Sequence, residues 1–600
     1  MKSKSIIRAA LAAIVTLGAT TSCADMFDIE STRVVIEDKH TLSTSADSAY
    51  STLGVLQCMR EIADRYIILG EVRGDLMEIN EFTKTSLRNI AEFNFEDENE
   101  YLNVRDFYAV INNCNYILAK MDTTIAHNNE RVMIDEYAAI LGVRAWTYLQ
   151  LAINHGKVPF YLDPITTVAG SEVDYPMYGV KEMAAELVPQ LLPYVEYDLP
   201  VFVNHNSITE RIYPPLKLVV ADLYLWSGDY LNASKTYWDY LNNHPDFKYS
   251  YGDGSNTETF RGMMALNGSQ LVYIQRGSNS STVATNWQNY LDYGGQANGY
   301  ENLAYIPMER TTASGIVSEV GNLFASMDNT HSLNPSTYLK ELSSKQAYIT
   351  ATTDKDGNED GGYTVQALAG DRRYAHYLAN PIFSNSEEEF EYYDKLASIS
   401  TPDGATLEMY TQQINLYRRS IVYLRAAESF NSLAKEMYVA GDSTAMADAA
   451  KLADMSFNLM KDAYKVFFPN GHMFEKQLKL AFLGVHAKGS GDVRLDTTHF
   501  ALRPSTIARR FELTDSTVTF NDTIRFIDEV ILDELALEAA LEGNRFGDLV
   551  RFAKRRQAWG EADYYDVLAK RVASRKGELL FDDELYIKLT DENNWYLPLK

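Results

Sequence analysis

The chain of 600 residues carries 82 acidic against 55 basic side chains, a formal net charge of −27, and is 46% apolar and 12% aromatic. That length and apolar content suffice for one large folded domain or several small ones. So acidic a surface repels phosphate backbones, which excludes nucleic acid as a partner, and no segment after the N-terminal leader holds the roughly 18 consecutive apolar residues of a membrane-spanning helix.

The leader reads MKSKSIIRAALAAIVTLGATTS. Lys2, Lys4 and Arg8 give it a basic start, Ala9 to Ala19 a short apolar run, and Ala19, Thr20, Thr21 and Ser22 a small-residue approach to Cys23. This is the layout of an export signal, too short to cross about 30 Å of hydrocarbon as a helix. It resembles a bacterial lipoprotein signal, which places cleavage before Cys23 and lipid on its thiol and new amino terminus. Several acyl chains on one residue anchor stably where a single chain does not. Residues 24–45 are polar and suit a tether. Cys58 and Cys114, the remaining cysteines, sit in apolar helical patterns and are expected as buried free thiols.

From about residue 46 the pattern is helical. In 104–121, Phe107, Val110, Ile111, Cys114, Ile117 and Leu118 recur at three- and four-residue spacings. A long helix is predicted over 130–154, with Gly156 as its cap and Pro159 barring resumption. Another follows at 177–197. Residues 214–245 read as a helix, a turn at Ser227–Asp229 and a second helix stopped by Pro245. There Ala221, Leu225, Gly228, Tyr230, Ala233 and Tyr237 alternate small and large as in a tetratricopeptide hairpin. A looser version recurs at 415–463, and the two together predict a mainly α, solenoid-like scaffold. Residues 246–412 are rich in Gly, Ser, Asn, Thr and Tyr and predict a loop-rich subregion. Helix returns over 524–556, with Ile527, Val530, Ile531 and Leu535 on one face, and 560–600 is mixed.

Catalytic patterns are missing. HExxH, GxSxG and GxxxxGK[ST] do not occur, and no two of the ten histidines are spaced to share a metal on one helical face. The chain is therefore expected to be no enzyme and to need no cofactor. Ser432–Lys435 fits SxxK but lies within the second hairpin pattern, where a solvated helix face is expected. Asp354, Asp356, Asn358 and Asp360 alternate as calcium ligands do, yet Glu359 and Val365 stand where an EF-hand needs Gly and Glu, so a polar turn is expected. Arg73–Asp75 spells RGD in a setting that suggests structure.

The segment 286–306 differs in kind. It sets Trp287, Tyr290, Tyr293, Tyr300 and Tyr305 among Asn286, Gln288, Asn289, Asn298 and glycines. Sugar rings pack C–H faces on aromatic rings and present hydroxyls to amides, so this is the composition of a carbohydrate platform. The alternative is that half of these aromatics plug the loop onto the helices.

In order along the chain, EVRGDLMEIN (71–80), VINNCNYILAKMD (110–122), EYAAILGVRAWTYLQLAINHGKVPF (136–160), the hairpin at 215–241, GDRRY (370–374), YLRAAESFN (423–431), LALEAALEGNRFGDLVRF (535–552) and the terminal WYLPL resemble the SusD/RagB-type outer-membrane glycan-binding lipoproteins of Bacteroidetes. Arg144, Ala145, Tyr148, Leu149, Gly156 and Pro159 carry the third match, and Glu542, Gly543, Arg545, Asp548 and Arg551 the last of the long ones. Asp533 and Glu534 stand where the family usually shows a Glu-Arg pair. Arg545 and Asp548, three apart, are placed to pair on one helix face. The resemblance implies a SusD-like domain over 46–600 that binds oligo- or polysaccharide without cleaving it, as a lid over a TonB-dependent SusC-type outer-membrane transporter. It also implies that Asp25, Asp28 and Glu30 mark export to the cell surface. A lid for peptide or other non-glycan cargo, and a transporter subunit without its own ligand, remain the alternatives. The residues assigned to sugar binding are Trp287, Tyr290, Tyr293, Tyr300, Tyr305 and Asn289.

Overall fold

In a computed structural model of the chain, residues 42–200, 211–244 and 302–599 are described apart from isolated positions and interruptions, chiefly 310–314, 327–329, 353–363, 380–391, 401–407 and most of 468–499; between 249 and 285 only short strand backbones are. The leader, Cys23, the tether to residue 41 and the acidic run Asp354–Asp360 lie outside the described residues.

The first helix, α1 (Ser45–Glu71), begins at Thr44, whose hydroxyl accepts the Asp47 amide, the capping that satisfies an otherwise orphaned N–H. Its buried face carries Val55, Met59, Ile62, Tyr66 and Ile67. It packs on α2 (Arg105–Lys120) and α3 (Ile134–His155). The helix predicted from 130 starts at 134 because Glu130–Arg131 pairs with Ala126–His127 in a tight hairpin. Next come α4 (Val180–Leu191) and the hairpin of α5 (Leu216–Ser227) and α6 (Tyr230–Asn243). Gly228 makes the turn at φ +84°, a left-handed conformation that suits glycine. The Asp229 side chain then caps α6 by accepting the Asn232 amide.

The second predicted hairpin is α7 (Arg419–Ala440) and α8 (Ser443–Lys461), with α7 packed against α6. Its first expected residues are not helical. Gln413–Arg418 forms a strand, β2, paired antiparallel with β1 (Asn302–Pro307), Tyr305 lying opposite Asn415 and Ile306 opposite Ile414. The described strands all form two-stranded pairs, so the architecture is mainly α with a strand-bearing subregion.

The helical stretch expected over 524–556 consists of two helices, α9 (Phe520–Ala539) and α10 (Arg545–Ala558). Leu541 and Gly543 between them have φ of +70° and +78°. Gly70 of α1 lies against this break: a Cβ there would stand 1.9 Å from the Gly543 carbonyl oxygen, so backbone meets backbone. Cations hold the end of α9. Lys395 donates to the Glu538 and Ala540 carbonyls, each at 2.9 Å, and Arg418 to the Glu538 carbonyl at 3.0 Å, which satisfies the unpaired carbonyls at a helix C-terminus.

A buried ionic lattice runs along α9. Arg373 bridges Asp371, Glu534 and Glu538, and Arg418 joins Glu538 at 3.0 Å and Glu542 at 2.6 Å. Arg555 joins Asp528 and Glu428, and Arg551 grips Glu428 with two bonds of 2.7 Å. Burial alone would raise the Glu534 carboxyl, but Arg373 and His486 reverse this and hold it at about 2. Burial and then the charge of Arg73 push His155 down to about 4. Burial raises Glu71 to about 7 and Asp64 to about 6.

Arg73–Asp75 is structural, as its setting suggested. Asp75 receives two bonds from Arg545, at 2.5 and 2.6 Å, and Arg73 reaches the Trp595 carbonyl and Asn154. The expected Arg545–Asp548 pair does not form, because Arg545 is drawn across to Asp75 and Asp548 instead accepts from Arg551 at 2.8 Å. Ser432 is not on a solvated face: it is fully buried with its hydroxyl on the Glu428 carbonyl, because α9 covers that side of α7. Cys114 is a buried free thiol and Cys58 is half-buried, also free.

Two outcomes are expected. Arg545→Ala leaves Asp75 as an uncompensated buried charge and should lower unfolding free energy by about 3–5 kcal/mol, read from denaturant midpoints; a change within experimental error would mean that the pair adds nothing. Stability should also fall with acid. Glu534 binds a proton more readily unfolded than folded, so its contribution is full above its ordinary range near 4.5 and is lost towards about 2. His155 adds loss from 6.5 towards about 4, while Glu71 and Asp64, raised in the fold, act in the opposite sense over that interval. Melting temperature should therefore change little between pH 7 and the ordinary carboxylate range and drop steeply below it; a fall confined to the neutral range would contradict this.

Candidate functional site

Of the residues assigned to sugar binding, Trp287, Asn289, Tyr290, Tyr293 and Tyr300 lie outside the described residues. Tyr305 is described. It sits in β1 and is only 9% exposed, so its ring offers little surface for stacking.

The start of β1 borders a cavity of about 400 Å³. One wall is the chain leaving α4, where a 3₁₀ turn at Leu192–Tyr194 brings Tyr194 against Tyr137, with ring centroids 5.2 Å apart, and against Tyr197 at 6.1 Å. The others are the first turn of α5, the last turn of α6 and Leu303, which lies near the end of the aromatic segment 286–306. Arg211 fixes this corner by donating to the Asn302 carbonyl at 2.5 Å.

The lining alternates rings with polar groups. Tyr197 is 40% exposed at the edge. Tyr240 and His244, four apart on the end of α6, stack with centroids 4.3 Å apart. Lys217 reaches from α5 to Glu196, at 2.6 Å, and to Asp239 on α6. Burial lowers the Lys217 ammonium, but its bonds to Asp239 and Glu196 outweigh that and raise it. The same bond from Lys217 is the main reason the Asp239 carboxyl lies below its usual range, and Asn243 adds a second donor at 2.5 Å. Two carboxylates and an amide thus lie beside exposed aromatic surface. This is an inventory for hydroxyl-bearing rings: acceptors and donors for the hydroxyls, apolar faces for the C–H edges.

Sequence reasoning missed these residues because they belong to helix ends already explained by packing. The signal was present in Tyr240–His244 and Asp239–Asn243, pairs four apart that put both ring and amide on one side of α6. Among the described residues no three His, Cys, Asp or Glu side chains converge as a metal-binding group, and no helix is long and apolar enough to cross a membrane.

Residues 505–599 match the model of the SusD family. Solved structures share the fold over nearly the whole chain. A SusD superfamily protein from Bacteroides vulgatus ATCC 8482 is 14% identical, with 93% of this chain and 96% of that chain covered and a TM-score of 0.54. A SusD superfamily protein from Bacteroides thetaiotaomicron VPI-5482 is 14% identical, with 92% and 94% covered and a TM-score of 0.52. A SusD homolog from the same organism is 12% identical, with 88% and 94% covered and a TM-score of 0.51. No curated protein matches the chain.

Removing the ammonium by Lys217→Met should let the Asp239 carboxyl return towards its ordinary range, because the largest cause of its depression is lost. Carboxyl-detected NMR titration of the two proteins measures this; an unmoved Asp239 would show that Lys217 does not organise the cavity.

Proposed function

We propose that this SusD-like chain captures oligo- or polysaccharide at a cell surface and hands it to a TonB-dependent outer-membrane transporter of the SusC type. The observation that carries the reading is the cavity between Tyr197, Lys217 and the last turn of α6. It pairs exposed aromatic surface with carboxylates and an amide, and Leu303 lies in β1, where the aromatic segment ends. Trp287, Tyr290, Tyr293 and Tyr300 supply stacking faces in this proposal, with Asn289 as a hydroxyl partner. Tyr197 supplies a further ring, and Tyr305 anchors the strand rather than touching the sugar. The SusD-family match supports glycan as cargo and a transporter as partner.

Lipid on Cys23 and a polar tether over 24–41 complete the reading, since Leu42 is buried beside Met121 and Thr44 already caps α1. Several chains on one residue keep the domain at the membrane, while the tether leaves it free to move as a hinged lid. Intact-mass spectrometry of the membrane fraction tests this directly, since an unacylated Cys23 removes the anchor.

The binding reading is tested with a glycan array, followed by calorimetry on the best hit. Joint replacement of Trp287 and Tyr290 by Ala should cost about 1–3 kcal/mol of binding free energy, the range for residues central to an interface. Tyr197→Ala should weaken the same ligand. Affinity unchanged in both variants would remove these rings from the site, and an array without hits would leave peptide cargo or a ligand-free subunit in its place.

A further inference from the structure

A second cavity, of about 440 Å³, lies at the turn of the α5–α6 hairpin, the opposite end from the first. Pairing of Val158 with Tyr178 and of Pro159 with Met177 returns the chain to the end of α3 and starts α4 there. The walls are therefore the last turn of α3, the first turn of α4, the Gly228 turn, one face of α10 and Tyr596. The volume falls within the range of about 300–1,000 Å³ typical of small-molecule sites.

The lining is unbalanced in charge. It holds Lys181, Arg551, Lys554 and Arg555 against one acid, Glu182. The Glu182 carboxylate is turned onto its own helix start, where it accepts the Gly179 amide at 3.2 Å. The acids that pair with Arg551, Lys554 and Arg555 are Glu428, Asp548, Glu592 and Asp528, and none of them belongs to the walls. Lys181 pairs with no acid at all. Its ammonium and the N–H groups of the first turn of α4 bring positive charge to the same rim.

Two deeply seated side chains offer donors to the same space. Arg551, 5% exposed, spends Nε and Nη2 on Glu428 and Asp548, and its Nη1 bonds to no protein atom. Tyr230, 8% exposed, makes no hydrogen bond through its hydroxyl. Neither atom is sealed inside protein, so both open onto the cavity that their side chains line. The charge of Arg73 also reaches Tyr596, and Arg73 bonds only to neutral acceptors, the Leu69 and Trp595 carbonyls and Asn154.

The rest of the lining is apolar: Ile153, Val180, Leu225, Val550 and the ring of Trp226, over which Arg551 stands at 5.1 Å. Of the lining cations only Lys181 lacks a carboxylate partner. One negative charge balances it, and a second would meet Glu182 with nothing to offset the repulsion. The lining therefore suits a monoanion with an apolar body over a phosphate dianion.

We propose that this cavity binds a small organic monocarboxylate, its carboxylate held by Lys181, Arg551 and the first turn of α4 and its apolar body laid against Trp226. The site shares no residue with the cavity at Tyr197, so the glycan reading and this one fail separately.

The test is ¹⁹F NMR on the full-length protein labelled with 5-fluorotryptophan, with the Trp226 signal assigned by Trp226→Phe. Phenylacetate, hexanoate, phenylacetamide, phenyl phosphate and maltose are titrated through the millimolar range at neutral pH. At least one of the two carboxylates should shift the Trp226 signal saturably, and phenylacetamide, which keeps the ring but not the charge, should not. Lys181→Glu reverses the charge at the exposed rim and should weaken the carboxylate at least about fivefold, the upper worth of one exposed ion pair, with the melting temperature unchanged. Lys181→Arg should keep the affinity. Tyr230→Phe should weaken it about two- to twelvefold, the worth of one neutral hydrogen bond. The proposal is overturned if neither carboxylate shifts Trp226, if phenylacetamide shifts it as strongly, if phenyl phosphate or maltose binds more tightly, or if Lys181→Glu binds as well as the parent.

Discussion

Buried carboxylates on α9 constrain everything around them. Asp528, Asp533, Glu534 and Glu538 project from one helix, with Glu542 just beyond it, and each is at most 4% exposed. Charges taken out of water at that depth persist only when each has close, well-directed partners. The partners come from every neighbouring layer. Arg373 comes from the strand-bearing subregion, Arg418 from the end of β2, Arg555 and Arg556 from α10, and Arg510 from the helix before α9. A cation that must meet its carboxylate within bonding distance fixes the element carrying it. The lattice therefore acts less as a source of net stability than as a set of positional constraints, and α9 is the rod to which the other elements are pinned.

The candidate site is two steps from that rod. Arg418, bound to Glu538 and Glu542, ends β2 and lies opposite Asn302 in the β1–β2 pair. The Asn302 carbonyl accepts from Arg211 at the corner of the cavity, and Leu303 lines its wall. A buried charge pair thus sets the register of a strand, and the strand sets one wall of the site. On the opposite wall Lys217 ties α5 to α6 through Asp239. The cavity is built on helices and a strand rather than on loops alone, which favours precise placement of side chains.

Much of the scaffold was legible in the chain. The apolar spacing over 104–121 and the turn at Ser227–Asp229 have one physical solution each, an amphipathic helix and a left-handed glycine between two helices. The break between α9 and α10 was not legible, because LEGN carries no proline and the halt comes from Lys395 and Arg418, both more than a hundred residues away. The same holds for Arg545: a helical partner three residues on was available, but two bonds to Asp75, 470 residues distant, won. Ser432 looked solvent-facing for the same reason, since nothing local announces that α9 will cover it. At the candidate site the aromatic segment stood out by composition, whereas Tyr197, Lys217 and Asp239 acquire meaning only when three separated stretches meet.

Asp75 with Arg545 and Arg73 with Trp595 join the two ends of the folded region across 470 and 522 positions of chain. Contacts so distant must close very large loops before they return any energy. During synthesis at about 5–20 residues per second, Arg73 and Asp75, in the turn just after α1, emerge on the order of half a minute to two minutes before Arg545 and Trp595. Through that interval Asp75 lacks the Arg545 guanidinium that neutralises it in the fold, while Arg73 can already reach Leu69 and Asn154. The late segment thus closes the fold much as a keystone closes an arch: α10 brings the counter-ion for Asp75, and Trp595 brings an acceptor for Arg73.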